Sequence, residues 1–322
     1  MSHPVRLGVV MDPIEDIKPQ KDSTLAMLIA AQKKGWELHY LEMRDLYLRD
    51  GVPMGKLAPL EVHSDLKRWF SRGEAVARPL GDLDVILMRK DPPFDMEYIY
   101  ATYILDRAEV AGVFVVNRPQ GLRDMNEKVY TAWFPDCCAA TLITRDMSDM
   151  EAFQREHGKV VCKPLDGMGG RSIFVVEAGD KNSQVIFETL TAYGNRYAIV
   201  QRYLPEIVTG GDSRVILVDG EPVPFALARI PTSTDNRGNL AAGATGVARP
   251  LNARDRWLAG QIGPKLREQG MIFVGLDVIG DYVTEINVTS PTGIREIDKQ
   301  CGTDIGGLLM SAIERRLAKA VG

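Results

Sequence analysis

The sequence predicts an α/β protein in two units: a parallel α/β unit, then a larger α+β unit built from hairpins. Three observations carry this reading. Short apolar runs alternate with helix signals through the first third, which is the pattern of a parallel sheet with crossover helices. Strand patterns with an Asp219-Gly220 hairpin turn dominate the later part. The length of 322 residues suits about two domains and a sizeable core.

In the first unit, Leu7 to Met11 is a short apolar run stopped by Asp12-Pro13. Asp22-Ser23 opens a helix over Thr24 to Lys34, and Gly35 ends it. Glu37 to Met43 alternates like a strand, and Val85 to Met88 and Val113 to Val116 are runs of branched apolar residues. Residues 50 to 80 read as a loop or small insertion. A new unit starts near Pro119, and the chain divides into residues 1–122 and 123–318. Asp124 followed by Glu127 has the spacing of a capping box and predicts a helix over Met125 to Phe134. Strands follow at Val160 to Lys163, Ile173 to Val176, Ala198 to Gln201 and Arg214 to Val218, and a last helix runs from Gly306 to Ala320. Residues 231–249 are small, polar and punctuated by glycine, a length of loop that is uncommon unless functional or disordered.

The bulk numbers narrow the function. A composition 45% apolar and 25% charged is ordinary for a soluble protein. A net charge of -4 without a basic tract gives no footprint for nucleic acid. Cys137, Cys138, Cys162 and Cys301 form neither a metal spacing nor a disulfide framework, which favours a reducing compartment. The four histidines are scattered, which argues against zinc. The apolar run at the N-terminus is too short for a signal peptide or a membrane span, so a cytoplasmic location is expected.

Two stretches carry chemistry. Lys163 ends a strand and is followed by Pro164-Leu-Asp-Gly-Met-Gly-Gly170. Gly167, Gly169 and Gly170 let backbone N–H groups approach phosphate oxygens, and Lys163 supplies charge. The loop lacks the Lys-Ser/Thr ending of a P-loop, and alone it also reads as a plain turn. In Asp277-Val-Ile-Gly-Asp-Tyr-Val-Thr-Glu-Ile-Asn287, Glu285 and Asn287 share one strand face. A two-residue turn at Gly280-Asp281 would place Asp277 opposite Thr284, on the wrong face. An odd-length loop or a bulge is therefore needed to join the three oxygen-bearing side chains. Such a cluster suits magnesium. Its alternative is a structural network with Arg295 or another arginine. Arg89 ends an apolar strand at its carboxyl end, where it is placed to hold a substrate carboxylate. Arg214 and Arg229 flank a hairpin, Arg237 sits in the long loop, and Lys128 reads as a solvent-facing helix lysine.

Taken together, Ile86–Asp95, Tyr98–Leu105, Asn117-Arg-Pro119, Asn126-Glu-Lys128, Lys163–Gly170, Arg237–Gly243 and Thr284–Pro291 resemble the bacterial glutathione synthetases among the ATP-grasp ligases. The resemblance spans nearly the whole chain and matches least in residues 50–80 and the C-terminal tail. It implies a two-lobed ATP-grasp α+β domain after the N-terminal domain. It also implies ATP- and Mg²⁺-dependent (or Mn²⁺-dependent) joining of γ-glutamylcysteine and glycine through an acylphosphate, with release of ADP and phosphate. Carried onto this sequence, Asp277, Glu285 and Asn287 match metal ligands. Lys128, Lys163, Gly167, Gly169, Gly170 and Asp212 belong to the nucleotide site, and Gln201, Tyr203 and Leu204 to the segment meeting adenine. Arg214, Arg229, Arg237 and Asn239 match catalytic positions, Arg89 holds substrate, and residues 231–249 form a lid. The family suggests a homotetramer with small-molecule substrates, and no nucleic acid or membrane partner. Two rivals stand beside this reading: a same-fold ligase for other acids and amines, and a nucleotide-binding regulator without turnover.

Overall fold

The computed structural model describes residues 3–230 and 245–320. Three sheets organise it. The first is built from β1 (Arg6–Val10), β2 (Glu37–Leu41), β3 (Leu46–Arg49), β4 (Val52–Val62), β5 (Phe70–Arg72), β6 (Val76–Pro79), β7 (Val85–Met88) and β8 (Phe114–Val116). Its order is β3-β4-β2-β1-β7-β8, with β5 and β6 also pairing β4. β1 runs parallel to β2 and β7, and β7 parallel to β8, with crossovers through α1 (Ser23–Lys33) and α2 (Met96–Val110). Both helices begin on an aspartate cap: Asp22 accepts from Leu25 N at 2.6 Å and Asp95 from Tyr98 N at 3.0 Å.

The sheet differs from expectation in one respect. Residues 50–80, expected as a loop or small insertion, form antiparallel strands around the eleven-residue β4. The sheet is therefore mixed.

After α3 (Pro119–Asp124) comes a smaller lobe: β9 (Thr141–Thr144), α4 (Met147–His157), β10 (Lys159–Pro164), β11 (Phe174–Glu177), α5 (Ser183–Thr191) and β12 (Ala198–Arg202), in the antiparallel order β11-β10-β12-β9. It has its own core of Met150, Val160, Cys162, Val176, Phe187, Leu190, Ala198 and Val200. The helix expected over Met125–Phe134 is absent. A 3₁₀ turn covers only Val129–Trp133, because Asn126, not Asp124, caps the chain by accepting from Lys128 N and Val129 N.

The third sheet follows α6 (Glu206–Gly210). It contains β13 (Asp212–Val218), β14 (Glu221–Ile230) and β15 (Thr245–Pro250), then, after α7 (Ala253–Glu268), β16 (Phe273–Ile279) and β17 (Tyr282–Asn287). The order is β15-β14-β13-β16-β17, antiparallel throughout. Residues 245–249, expected within the long loop, are thus a paired strand, while 231–244 lie outside the described residues. The chain ends in α8 (Ile294–Cys301) and α9 (Ile305–Ala320). One continuous set of buried side chains joins the first and third sheets, running from Ile86, Tyr98 and Leu105 to Leu217, Leu276 and Ile286. Asn117 pins the two sheets. Its Oδ1 accepts from Ile272 N and Phe273 N, and its Nδ2 donates to Phe273 O and Val288 O, all within 2.7–2.9 Å. A fully buried amide with four partners costs little and fixes the hairpin β16–β17 against the first unit.

Candidate active site

The hairpin β16–β17 sets the first geometry. Ile279 pairs Tyr282 and Val278 pairs Val283, so the turn is the two-residue Gly280-Asp281. Asp277 nevertheless pairs Glu285, because Thr284 is the extra residue of a β-bulge. The bulge thus brings Asp277, Glu285 and Asn287 to one face, the second of the two solutions the sequence allowed.

The adjacent strand decides what Asp277 does. β13 places Arg214 directly opposite Asp277. Gly275, two residues earlier on that face, leaves the guanidinium stem room: a Cβ there would lie 2.7 Å from Arg214 Cδ. Arg214 donates from Nε to Asp277 Oδ1 at 2.6 Å and from Nη2 to Oδ2 at 3.1 Å. Arg229 of β14 reaches Asp277 Oδ2 at 2.9 Å and donates to Asp212 Oδ2 at 2.6 Å. Burial alone would push the Asp277 carboxyl up, but Arg214 and Arg229 together outweigh it and hold it well below the usual range. Asp212 shifts the other way: burial raises it, with Asp277 and Glu285 adding to the effect and Arg229 opposing. The arginine network left open by the sequence therefore exists for Asp277, with Arg214 and Arg229 as partners. Arg295 instead donates to Asp22 O.

Glu285 lies on the edge strand β17 with different neighbours. Its Oε1 is 3.9 Å from Lys128 Nζ and 3.8 Å from Lys163 Nζ. Lys128 is buried, not solvent-facing. Its ammonium donates to Glu127 Oε1 at 2.6 Å and to Gly167 O at 2.7 Å, leaving the third N–H unassigned. Burial would depress its pKa, yet Glu285 and Glu127 raise it, so the lysine is charged. Ile286 N donates to Glu127 O, and Asn126 Nδ2 to Leu165 O, so residues 126–128 bridge the hairpin and the glycine loop. In that loop Gly169 and Gly170 adopt φ of 64° and 78°, a region that suits glycine.

These side chains line connected cavities. One of about 660 Å³ lies between the four-stranded lobe and the third sheet. Gln201, Tyr203, Leu204, Lys163, Asp212 and Glu285 line it, with apolar walls from Val161, Phe174, Ile207 and Val283. A second of about 260 Å³ is lined by Lys128, Lys163, the glycine loop, Arg214, Arg229 and Glu285. The apolar wall residues were not legible in the sequence, since branched residues on strands read as core. Arg89 lies at the end of β7 and is buried, donating to Thr24 Oγ1 at 3.1 Å and Pro291 O at 3.0 Å. It lines a third cavity rather than the second. Arg237 and Asn239 lie outside the described residues.

A divalent cation can be tested against these groups. Among the described residues no three His, Cys, Asp or Glu side chains converge. Mg²⁺ needs fewer protein ligands, because it keeps waters and binds phosphate oxygens beside one or two carboxylates. Among the described residues Glu285 has only two ammonium contacts, at 3.8 and 3.9 Å, and Asn287 on the same face carries an amide Oδ1 of the hard-oxygen type the ion takes. Both fit. Asp277 has three of its roughly four acceptor directions taken by guanidinium N–H groups and offers the remaining one.

Two sheets closing on a slot, with a glycine loop and lysine on one side and carboxylates on the other, define an ATP-grasp ligase. Solved structures of that fold superpose on the chain. D-cycloserine synthetase DcsG gives a TM-score of 0.68 at 13% identity, covering 97% of this chain and 99% of that one. D-alanine–D-alanine ligase from Bacillus anthracis complexed with ATP gives 0.59 at 13% identity, with both chains fully covered. Within the class the sequence is more specific. Family models of prokaryotic glutathione synthetase match twice, the N-terminal domain over residues 5–123 and the ATP-grasp domain over 127–302. Glutathione synthetase of Pseudomonas putida is 59% identical over 313 residues, 97% of this chain and 98% of that protein. That of Escherichia coli strain K12 is 57% identical over 313 residues, 97% and 99%. The chain belongs to the prokaryotic glutathione synthetase family.

Proposed function

We propose that this enzyme joins γ-glutamylcysteine to glycine in two chemical steps. The cysteinyl carboxylate oxygen attacks the γ-phosphorus of ATP, the bond to ADP breaks, and an acylphosphate forms. The glycine amine then attacks the acyl carbon, the C–O bond to phosphate breaks, and the amine gives up a proton as the amide forms. The observation that carries this reading is the second cavity. There Lys128 and Lys163 approach Glu285 while Arg214 and Arg229 hold Asp277, beside a larger slot of nucleotide size.

On this reading adenine enters the apolar slot at Gln201, Tyr203 and Leu204, and the phosphates lie on Lys163, the third N–H of Lys128 and the amides of Gly167, Gly169 and Gly170. Asp212 holds Arg229. Arg214 and Arg229 stabilise charge on the transferring phosphoryl group, an electrostatic task that needs no nucleophilic side chain. Glu285, Asn287 and the free direction of Asp277 hold Mg²⁺ or Mn²⁺, which when bound neutralises charge between phosphate oxygens. Arg89 uses two of its five N–H groups on the protein and keeps others for a substrate carboxylate.

Residues 1–122 serve as the substrate side and 123–318 as the ATP-grasp side. A homotetramer is the assembly the family suggests, and the exposed Met96, Tyr100, Tyr103 and Val110 on α2 offer it an apolar face. Free cysteines among the described residues suit a cytoplasmic location, and none of their helices is long and apolar enough to cross a membrane. The reaction is tested by phosphate release with ATP and Mg²⁺. Release should need γ-glutamylcysteine and glycine together; equal release with D-alanine alone would refute the assignment.

A further inference from the structure

The second cavity and the third, which is about 600 Å³, meet at one place: Asp91, Pro92, Ser290 and Thr292 line both. With the donor held on Arg89 in the third cavity and the nucleotide phosphates on Lys128 and Lys163 in the second, the carboxyl group being activated meets the γ-phosphorus at that junction. The acyl carbon that glycine attacks therefore lies there too. Amide formation at that carbon needs a proton acceptor, because the attacking nitrogen becomes positively charged as its bond to carbon forms. Arg214 and Arg229 are donors only and cannot take that proton.

Among the described residues four carboxylates line the second cavity, and three are engaged. Asp277 is held by Arg214 and Arg229. Glu127 accepts from Lys128 Nζ at 2.6 Å. Glu285 faces Lys128 and Lys163 and is placed for the metal. No histidine among the described residues lines either cavity. Asp91 is the one carboxylate of the four that also lines the third cavity. Its backbone is anchored, since Asp91 N donates to Asp12 Oδ2 at 2.9 Å and Lys90 Nζ ties Asp12 Oδ1 at 2.7 Å. Ser290 Oγ donates to Asp91 Oδ1 and so orients the carboxylate. The other oxygen, Oδ2, has no hydrogen-bond partner among the described residues and is open to accept a proton. Asp91 is exposed, so an acceptor arriving from solvent can reach it.

We infer that Asp91 is the general base of the second chemical step. The glycine nitrogen forms the N–C bond with its lone pair, and the carbonyl π electrons move to oxygen. Asp91 Oδ2 takes a proton from that nitrogen. The electron pair on oxygen then restores the C=O bond, the C–O bond to phosphate breaks with its electrons going to phosphate, and Asp91 passes its proton to water. The first step uses a carboxylate oxygen as nucleophile and releases no proton, so Asp91 takes no part in it. The inference rests on the dipeptide reading made above.

The test is Asp91→Asn, in which the amide oxygen can still accept from Ser290 but the side chain cannot take a proton. Ligation to glycine should fall about a hundredfold or more in kcat, the scale of general-base catalysis. The KM values of ATP and the dipeptide should stay within about threefold of wild type. Rapid quenching should show a burst of ADP, because the acylphosphate still forms. Hydroxylamine is unprotonated at neutral pH and sheds its proton readily to water once bonded to carbon. With it as acceptor the variant should come within about threefold of the wild type. Asp91→Ala gives the same contrast if the asparagine variant does not fold. Equal losses with glycine and hydroxylamine, absence of the burst, or ligation to glycine at the wild-type rate overturns the inference. Failure of the wild type to turn over γ-glutamylcysteine with glycine would instead overturn the dipeptide reading itself.

Discussion

β16 and β17 each deliver one carboxylate to the same rung of the hairpin, and the two carboxylates have opposite surroundings. Asp277 sits on an inner strand. Its other neighbour, β13, sets Arg214 across from it, and Arg229 follows from β14. Glu285 sits on the edge strand. Its neighbours come from the loop at Lys128 and from Lys163 at the end of β10, at 3.8–3.9 Å. Residue type alone therefore does not assign a metal ligand. The strand next door determines whether a carboxylate is committed to arginines inside the fold or left to share its cations with a ligand.

The largest effect should follow from removing the committed carboxylate. Asp277→Asn leaves Arg214 and Arg229 buried with one less anion, and breaking a buried pair costs about 3–5 kcal/mol. Chemical denaturation should show a midpoint well below that of the wild type, together with loss of ligation. An unchanged midpoint would mean that the arginine network contributes nothing to the fold, and the contrast would collapse.

Glu285→Gln should separate the two roles. Turnover should fall about a hundredfold, the scale for losing one electrostatic group at a transition state. Stability should fall by less than in Asp277→Asn, because the two ammonium groups lie 3.8–3.9 Å from Glu285 rather than in direct hydrogen bonds. Destabilisation equal to that of Asp277→Asn would make Glu285 a second structural carboxylate.

Acid titration sharpens the comparison further. The Asp277 carboxyl is lowered from 3.8 to about 2 in the folded protein. A depressed folded pKa adds stability that is fully present above 3.8 and is lost as pH falls through about 2. The denaturation midpoint of the wild type should therefore fall with pH across that window. Asp277→Asn should lack that part of the slope, while Glu285→Gln should keep it.

The smallest effect concerns the bulge. Deleting Thr284 lets Glu285 follow Val283 directly, which restores regular pairing yet keeps Glu285 opposite Asp277. Ligation should persist within about tenfold of wild type. A loss as deep as that of Glu285→Gln would show that the bulge itself aims the carboxylate.

Much of this was legible in the residues. Branched apolar runs marked β7, β10, β12 and β13, and the glycine loop and the Asp277–Asn287 hairpin stood out by composition. The strands β3 to β6 did not, because β5 and β6 are short and largely exposed and carry no apolar stripe. The helix expected after Asp124 failed for a specific reason. Asp124 is the last residue of α3, where its Oδ1 accepts from Gln120 Nε2, and Glu127 Oε1 accepts from Lys128 Nζ, so both side chains that a capping box would use are engaged elsewhere. Lys128 was misjudged for the same cause, since burial against Gly167 cannot be seen in a local pattern.

Composition and spacing along the chain carried the α/β character, the oxygen-bearing hairpin, the lysine with its glycine loop, and, through resemblance over nearly the whole chain, the ligase family. These depend on local composition and spacing, which need no neighbour to be read. Strand pairing in three dimensions established that a bulge at Thr284 turns Asp277 and Glu285 to one face. It also set Arg214 and Arg229 on Asp277, and packing between the units brought Ser290 to Asp91, 199 positions away in the chain. Such facts depend on which strand lies beside which, and burial then sets the charge state that each side chain can hold.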